Sequence, residues 1–256
     1  MQTRANHAQT FRHTPTSVKP LNEAKVAALL DQEWARYKES TAKSGIENEQ
    51  AKKFLPLGAT SSFQHWDPYP LSIVSAQGAW MKDVDGRELL DLSMGFGAML
   101  AGHLNPDVIR ELQASLETGT LFVTPSPIST DAAERICKRF SLDLVRFTNS
   151  GTEATMYAVR TARAYTGRNG VVKIEGGYHG SYDPLMVSSK PSIDHAGDSE
   201  LPNSVTPYGA VPGDVWVVPY NNADSIEAIF KKHRNEIAPY LSKSSFSIKM
   251  CAGIFK

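Results

Sequence analysis

The stretch "FTNSGTEATMYAVRTARAYTGRNGVVKIEGGYHGSYD", Phe147 to Asp183, decides how this chain folds. It passes from an apolar run into a helical pattern, and then into the continuous apolar run "GVVKIE". Ser150-Gly151-Thr152-Glu153 has the spacing of a capping box, Ser followed three residues later by Glu. In the helix that follows, Glu153, Arg160 and Arg163 share one face, and Ala154, Ala158, Ala162 and Tyr165 fall near another. Gly167 is placed to end it. A plain helix cap accounts for "NSGTEA". So does a cradle for an anion, because a helix start beyond the carboxyl end of a strand offers unpaired N–H groups and a positive dipole end. Gly151 permits close backbone approach, and Ser150 and Thr152 add hydroxyls. No G-x-x-x-x-G-K-[ST] occurs and no G-x-G-x-x-G follows a strand, which argues against the phosphates of ATP or NAD.

"KIEGGYHGSYD" makes a second constellation, again at a strand end. Gly176-Gly177 allows a sharp turn that leaves Tyr178 to project an aromatic face, with His179 beside it as a hydrogen-bonding or proton-carrying group. A solvent loop with an ordinary buried Tyr is the plainer reading. His179 and Asp183 as a metal pair lack a third ligand, so no metal site is expected.

Around this stretch, strand-like and helix-like segments alternate. "DLVRFTN" (143–149), "GVVKIE" and "DVWVVPY" read as strands. "STDAAERICKRF", with Ser129 or Thr130 as cap, and "ADSIEAIFKKHRNE" read as helices. "NPDVIRELQASLET" reads as a helix capped by Asn105 with Pro106 at its first position. The alternation predicts a three-layer α/β domain with a mainly parallel sheet. Upstream, "AWMKDVDGRELLDL" carries an Asp85-Gly86 pair that predicts a two-residue hairpin in a small antiparallel meander. "LNEAKVAALLDQEWARYKES" has helical periodicity, and "LPLGATSSFQHWDPYP" is a long loop. Residues 1–20 have basic residues without an apolar core behind them, and read as a mobile tail rather than a secretory signal.

The chain has 256 residues, 41% hydrophobic and 21% charged, with 27 Lys plus Arg against 27 Asp plus Glu. Zero net charge gives no general attraction to nucleic acid or anionic lipid, and no stretch has transmembrane length and apolarity. Cys137 and Cys251 lack metal-ligand spacing and fit a reducing compartment. The expectation is a cytoplasmic protein without nucleic-acid or membrane partners.

The pairing of "NSGTEA" with "GGYHG" resembles the class III pyridoxal-phosphate-dependent aminotransferases, nearest their glutamate-1-semialdehyde aminomutase-like branch. The resemblance runs back through "GAWMKDVDGRELLDLSMGFGAMLAGHLNP" and on through "VVPYNN", roughly Leu57 to Ile237. It implies an aspartate-aminotransferase-type (fold type I) α/β fold and a homodimer acting on a small-molecule amino donor and acceptor. It implies pyridoxal 5'-phosphate as cofactor, with its phosphate on Ser150, Gly151 and Thr152, its ring stacked by Tyr178, and His179 adjacent. The loop with Ser61, Ser62, Gln64, His65 and Trp66 falls where this branch contacts substrate. It lacks the Arg that some members use for a carboxylate.

The resemblance also implies a Schiff-base Lys in a Gly-rich context, an Asp in a D-E-V context paired with the pyridine nitrogen, and a Val-Glu-Pro segment soon after "NEIA". None occurs; the chain reads "PYLSKSSFSIKMCAGIFK" from Pro239. No catalytic residue is therefore assigned. The expected organisation is a tail (1–20), an N-terminal helix and small-domain segment (21–100), a partial cofactor domain (101–238) and an aberrant tail (239–256), from truncation or frameshift. Pro239 and the Ser and Lys after it do not read as a buried parallel strand. An incomplete sheet is expected, with "DLVRFTN" separated from its neighbours and the chain alone unstable. Aminomutase activity and a non-catalytic fragment that at most binds the cofactor are the alternatives to amino-group transfer.

Overall fold

The computed structural model describes residues 22–189 and 214–241. The expected tail 1–20 and residues 242–256 lie outside the described residues. The chain divides into two compact units, Met1–Val123 and Thr124–Lys256.

The first unit begins with α1 (Glu23–Ser40), whose N-cap Asn22 accepts from the Lys25 amide at 3.0 Å. α2 (Ala42–Ala51) carries one large apolar residue, Ile46, and so has no apolar periodicity to announce it. Its start is capped from a distance. The Asp85 carboxylate accepts from the Lys43 and Ser44 amides at 2.8 and 3.1 Å, and from Ser44 Oγ at 2.6 Å. A carboxylate at a helix N-terminus satisfies orphan N–H groups and meets the positive end of the dipole.

The meander is present as β1 (Ile73–Gln77), β2 (Trp80–Asp83) and β3 (Glu88–Leu90), antiparallel in that order. Asp85-Gly86 does turn the chain, but the loop is Val84-Asp85-Gly86 rather than two residues. The Asp83 amide donates to the Arg87 carbonyl at 3.1 Å across it. Gly86 at φ +93 supplies the left-handed step that such a three-residue loop needs. Asp83 is buried there. Burial acts to raise its carboxyl, but the amide and guanidinium of Arg87 outweigh it and hold the group below the usual carboxylate range. α3 (Pro106–Leu116) starts as expected, with Asn105 Oδ1 accepting from the Asp107 and Val108 amides at 3.1 and 3.3 Å.

In the second unit α4 (Pro127–Phe140) begins earlier than the sequence suggested. Its N-cap is Ser126, not Ser129 or Thr130, and Pro127 takes the first helical position, where its missing N–H costs nothing. α5 (Gly151–Thr166) follows, ended by Gly167 at φ 66 as expected. Its buried residues are Thr155, Val159 and Ala162, while Tyr165 is exposed, so the inward face keeps Ala162 but is rotated from the one read as Ala154, Ala158, Ala162 and Tyr165.

The sheet that anchors α5 contains β4 (Gly170–Ile174), β5 (Val215–Val218) and β6 (Ile237–Leu241), parallel, in the order β5-β4-β6. Every residue of the central strand β4 is buried. Val171 packs with Val159 of α5, Leu185, Val187, Val215 and Val217. On the other face Val172 and Ile174 pack with Val218, Ile237 and Ile229 of α6 (Ala223–Lys232). Helices therefore cover both faces of a parallel sheet, the three-layer arrangement expected.

Two strand expectations are corrected. Residues 143–149 form no strand; the segment has no ladder partner among the described residues, and Leu144 and Phe147 are exposed. Conversely, a strand does run through Pro239. β6 pairs Ile237 with Gly170 and Tyr240 with Val172, so three steps on β6 face two on β4. That irregularity, on an outer strand, accommodates a residue with no N–H to donate.

Candidate functional site

β4 and α5 bring the two constellations together. The carboxyl end of β4 runs into the turn Gly176–Ser181, which is fastened to the first turn of α5 by two bonds. The Ser181 amide donates to Thr152 Oγ1 at 3.0 Å, and Thr155 Oγ1 donates to the His179 carbonyl at 2.7 Å. Between them Gly180, at φ +86, lies so close that a Cβ would stand 2.6 Å from Thr152 Cα. Only glycine meets both the left-handed backbone and this approach.

At the helix start Ser150 Oγ accepts from the Glu153 amide at 3.2 Å. Glu153 Oε2 reaches back to the Asn149 amide at 2.7 Å, one residue before the partner of a standard capping box. The Ala154 amide bonds the Ser150 carbonyl at 3.0 Å. The amides of Gly151 and Thr152 have no intrahelical acceptor. A Cβ at Gly151 would meet nothing within 4 Å, so the space beside Gly151 is open. Ser150 Oγ and Thr152 Oγ1 each accept a bond from the protein, which leaves their hydroxyl protons to be donated elsewhere. This donor set, two amides and two hydroxyls at a positive helix end, fits a phosphate.

Tyr178 is partly exposed, its hydroxyl 3.3 Å from Ser181 Oγ. His179 is buried. The five residues singled out in the sequence thus lie on two adjoining pieces of backbone. Among the described residues, no group of three His, Cys, Asp or Glu side chains could hold a metal. Nor is any described helix long and apolar enough to cross a membrane.

Four contributors were not read from the sequence: Thr155, Gly180, Ser181 and Lys173. Gly180 was visible as a third glycine in "GGYHG". Lys173 was visible as the single charge within the buried run "GVVKI". Its Nζ donates to the carbonyls of Leu185 and Val187 at 2.9 and 2.5 Å, with Ser189 Oγ at 3.3 Å. Burial pushes its ammonium down to about 8, opposed by the Glu175 carboxylate.

A parallel sheet with helices on both faces, and a helix start suited to a phosphate beside an aromatic turn, match the α/β fold expected of the aspartate-aminotransferase type. The family model described as "Aminotransferase class-III" matches residues 62–241, and the chain belongs to that family. It is 36% identical over 189 residues to a glutamate-1-semialdehyde 2,1-aminomutase of Methanothrix thermoacetophila, covering 72% of this chain and 42% of that protein. Among solved structures it is similar to a transaminase with PLP bound, with TM-score 0.72 and 34% identity over 78% of this chain and 47% of the other. It is also similar to a glutamate-1-semialdehyde aminomutase from Pseudomonas aeruginosa PAO1, with TM-score 0.76 and 26% identity over 87% and 48%. The chain spans less than half the length of each of these relatives.

Proposed function

We propose that the start of α5 and the turn Gly176–Ser181 hold pyridoxal 5'-phosphate. In the whole protein, the site would serve transfer of an amino group from a small-molecule donor to a keto acid or aldehyde. The observation that carries this reading is the fastening of the turn to the helix start by the Ser181–Thr152 and Thr155–His179 bonds. It sets a helix start suited to an anion beside an aromatic side chain.

The amides of Gly151 and Thr152, with the hydroxyls of Ser150 and Thr152, would hold the phosphate. Tyr178 would lie against the ring, and His179 would line the turn beside it. When bound, the cofactor supplies the electron sink that this chemistry requires. The protein residues hold and orient it. The similar transaminase with PLP bound supports this assignment. A homodimer, on the family resemblance, and a cytoplasmic setting, on the two isolated cysteines Cys137 and Cys251, belong to the same proposal.

Glutamate-1-semialdehyde 2,1-aminomutase is the second reading, favoured by the name of the Methanothrix relative and of the Pseudomonas structure. Net transfer between a separate donor and acceptor favours the transaminase; transfer confined to one molecule favours the mutase.

Binding is tested by titrating the chain with pyridoxal 5'-phosphate and following its absorption and the protein fluorescence. Saturable binding, competed by inorganic phosphate and weakened roughly tenfold or more by Gly151→Asp, is expected, because a carboxylate there repels the phosphate. Binding that ignores phosphate and Gly151→Asp would overturn the assignment.

A further inference from the structure

We propose that Lys173 is the positioning residue of the turn Gly176–Ser181, its ammonium pinning the returning chain Leu185–Ser189 against which that turn is hung. Lys173 lies on β4 two residues after Val171, and so faces the same side of the sheet, toward α5 and the segment 185–187. Its side chain is fully buried, yet among the described residues no carboxylate forms an ion pair with it. Its donors go to the carbonyls of Leu185 and Val187 and to Ser189 Oγ.

These acceptors flank the group that holds the turn. The Gly176 amide donates at 2.8 Å to the carbonyl of Ser188, the residue between Val187 and Ser189. Ser189 Oγ also lies 3.5 Å from the Gly177 carbonyl. One cation therefore fixes the strand-return segment, the segment fixes Gly176, and Gly176 opens the turn that carries Tyr178 and His179. An apolar residue at 173 would match the rest of β4, but would remove the described donor of the Val187 carbonyl and leave the Leu185 carbonyl only Ser189 Oγ at 3.5 Å. Ser188 at φ 47 adds a strained residue in the middle of the pinned segment, which needs external support to persist.

The bearing on a cofactor rests on the function proposed above; the pinning itself does not. The test uses the whole chain near neutral pH, with 15N in the lysine side chains and the backbone. One lysine ammonium signal in slow exchange with solvent is expected, absent in Lys173→Met. In Lys173→Met, hydrogen exchange at the Gly176 amide is expected to rise roughly tenfold more than in Val217→Ala, a packing loss directly across the ladder on the same face. Equal rises in the two variants, or a folded Lys173→Met with Gly176 still protected, would overturn the proposal. Where Lys173→Met fails to fold, the parent's ammonium decides: exchange at the bulk rate overturns the pinning, and slow exchange supports it. A parent chain that binds no pyridoxal 5'-phosphate sinks the function proposed above, while the Gly176 readout still decides this one.

Discussion

Two segments lead to the same helix start, and they are built in opposite ways. The turn Gly176–Ser181 leaves a strand that is buried along its whole length and paired on both sides. It is then tied to α5 through Thr152 and Thr155, and to Ser188 through Gly176. Residues 143–149 enter α5 directly, yet have no ladder partner among the described residues and leave Leu144 and Phe147 exposed. Apolar sequence alone does not make a strand; the backbone needs a neighbour to receive its donors and acceptors. The site is therefore held from the turn side, and the entry side is fixed mainly by the cap at Ser150.

The comparison can be broken at several points. Gly180→Ala should have the largest effect, because it combines a disfavoured positive φ with a clash against Thr152 Cα. We expect a loss of roughly 2–4 kcal/mol in urea unfolding, with weakened pyridoxal 5'-phosphate binding. Full stability in that variant would show that the turn is not fastened as described. Val171→Ala removes fully buried packing beneath the turn and should cost roughly 2–3 kcal/mol by the same measurement. Ser150→Ala should cost about 1 kcal/mol, the usual worth of an N-cap, and raise amide exchange at Glu153 before it affects the sheet.

The smallest effect should come from Leu144→Ser. Leu144 is 88% exposed, so the change should stay within about 0.5 kcal/mol. A loss well above 1 kcal/mol would mean that the entry segment is covered in solution, and the contrast between the two segments would fall.

Much of the site was legible because its signals are local. Ser150 and Glu153 lie three residues apart, Gly167 ends the helix, and "GVVKI" is apolar on both faces as a buried parallel strand must be. The Asp85-Gly86 turn was placed, although its loop length was not. α2 was missed because its cap, Asp85, lies more than forty residues away. The start of α4 was missed by giving Ser129 the role that Ser126 holds in front of Pro127. Lys173 was in plain view, but its meaning depends on carbonyls 12 and 14 residues along the chain.

By itself the sequence determined the starts of α3 and α5, the central strand β4, and the candidate residues for holding a phosphate and facing a ring. These follow from capping, periodicity and backbone chemistry within a few residues. Tertiary structure alone decided which apolar runs became strands: β6 through Pro239, but not residues 143–149. It also decided which face of α5 turned inward and where the Lys173 ammonium found its acceptors. Ladder pairing and the solvation of a buried charge are settled by neighbours distant in the chain, and no local pattern carries them.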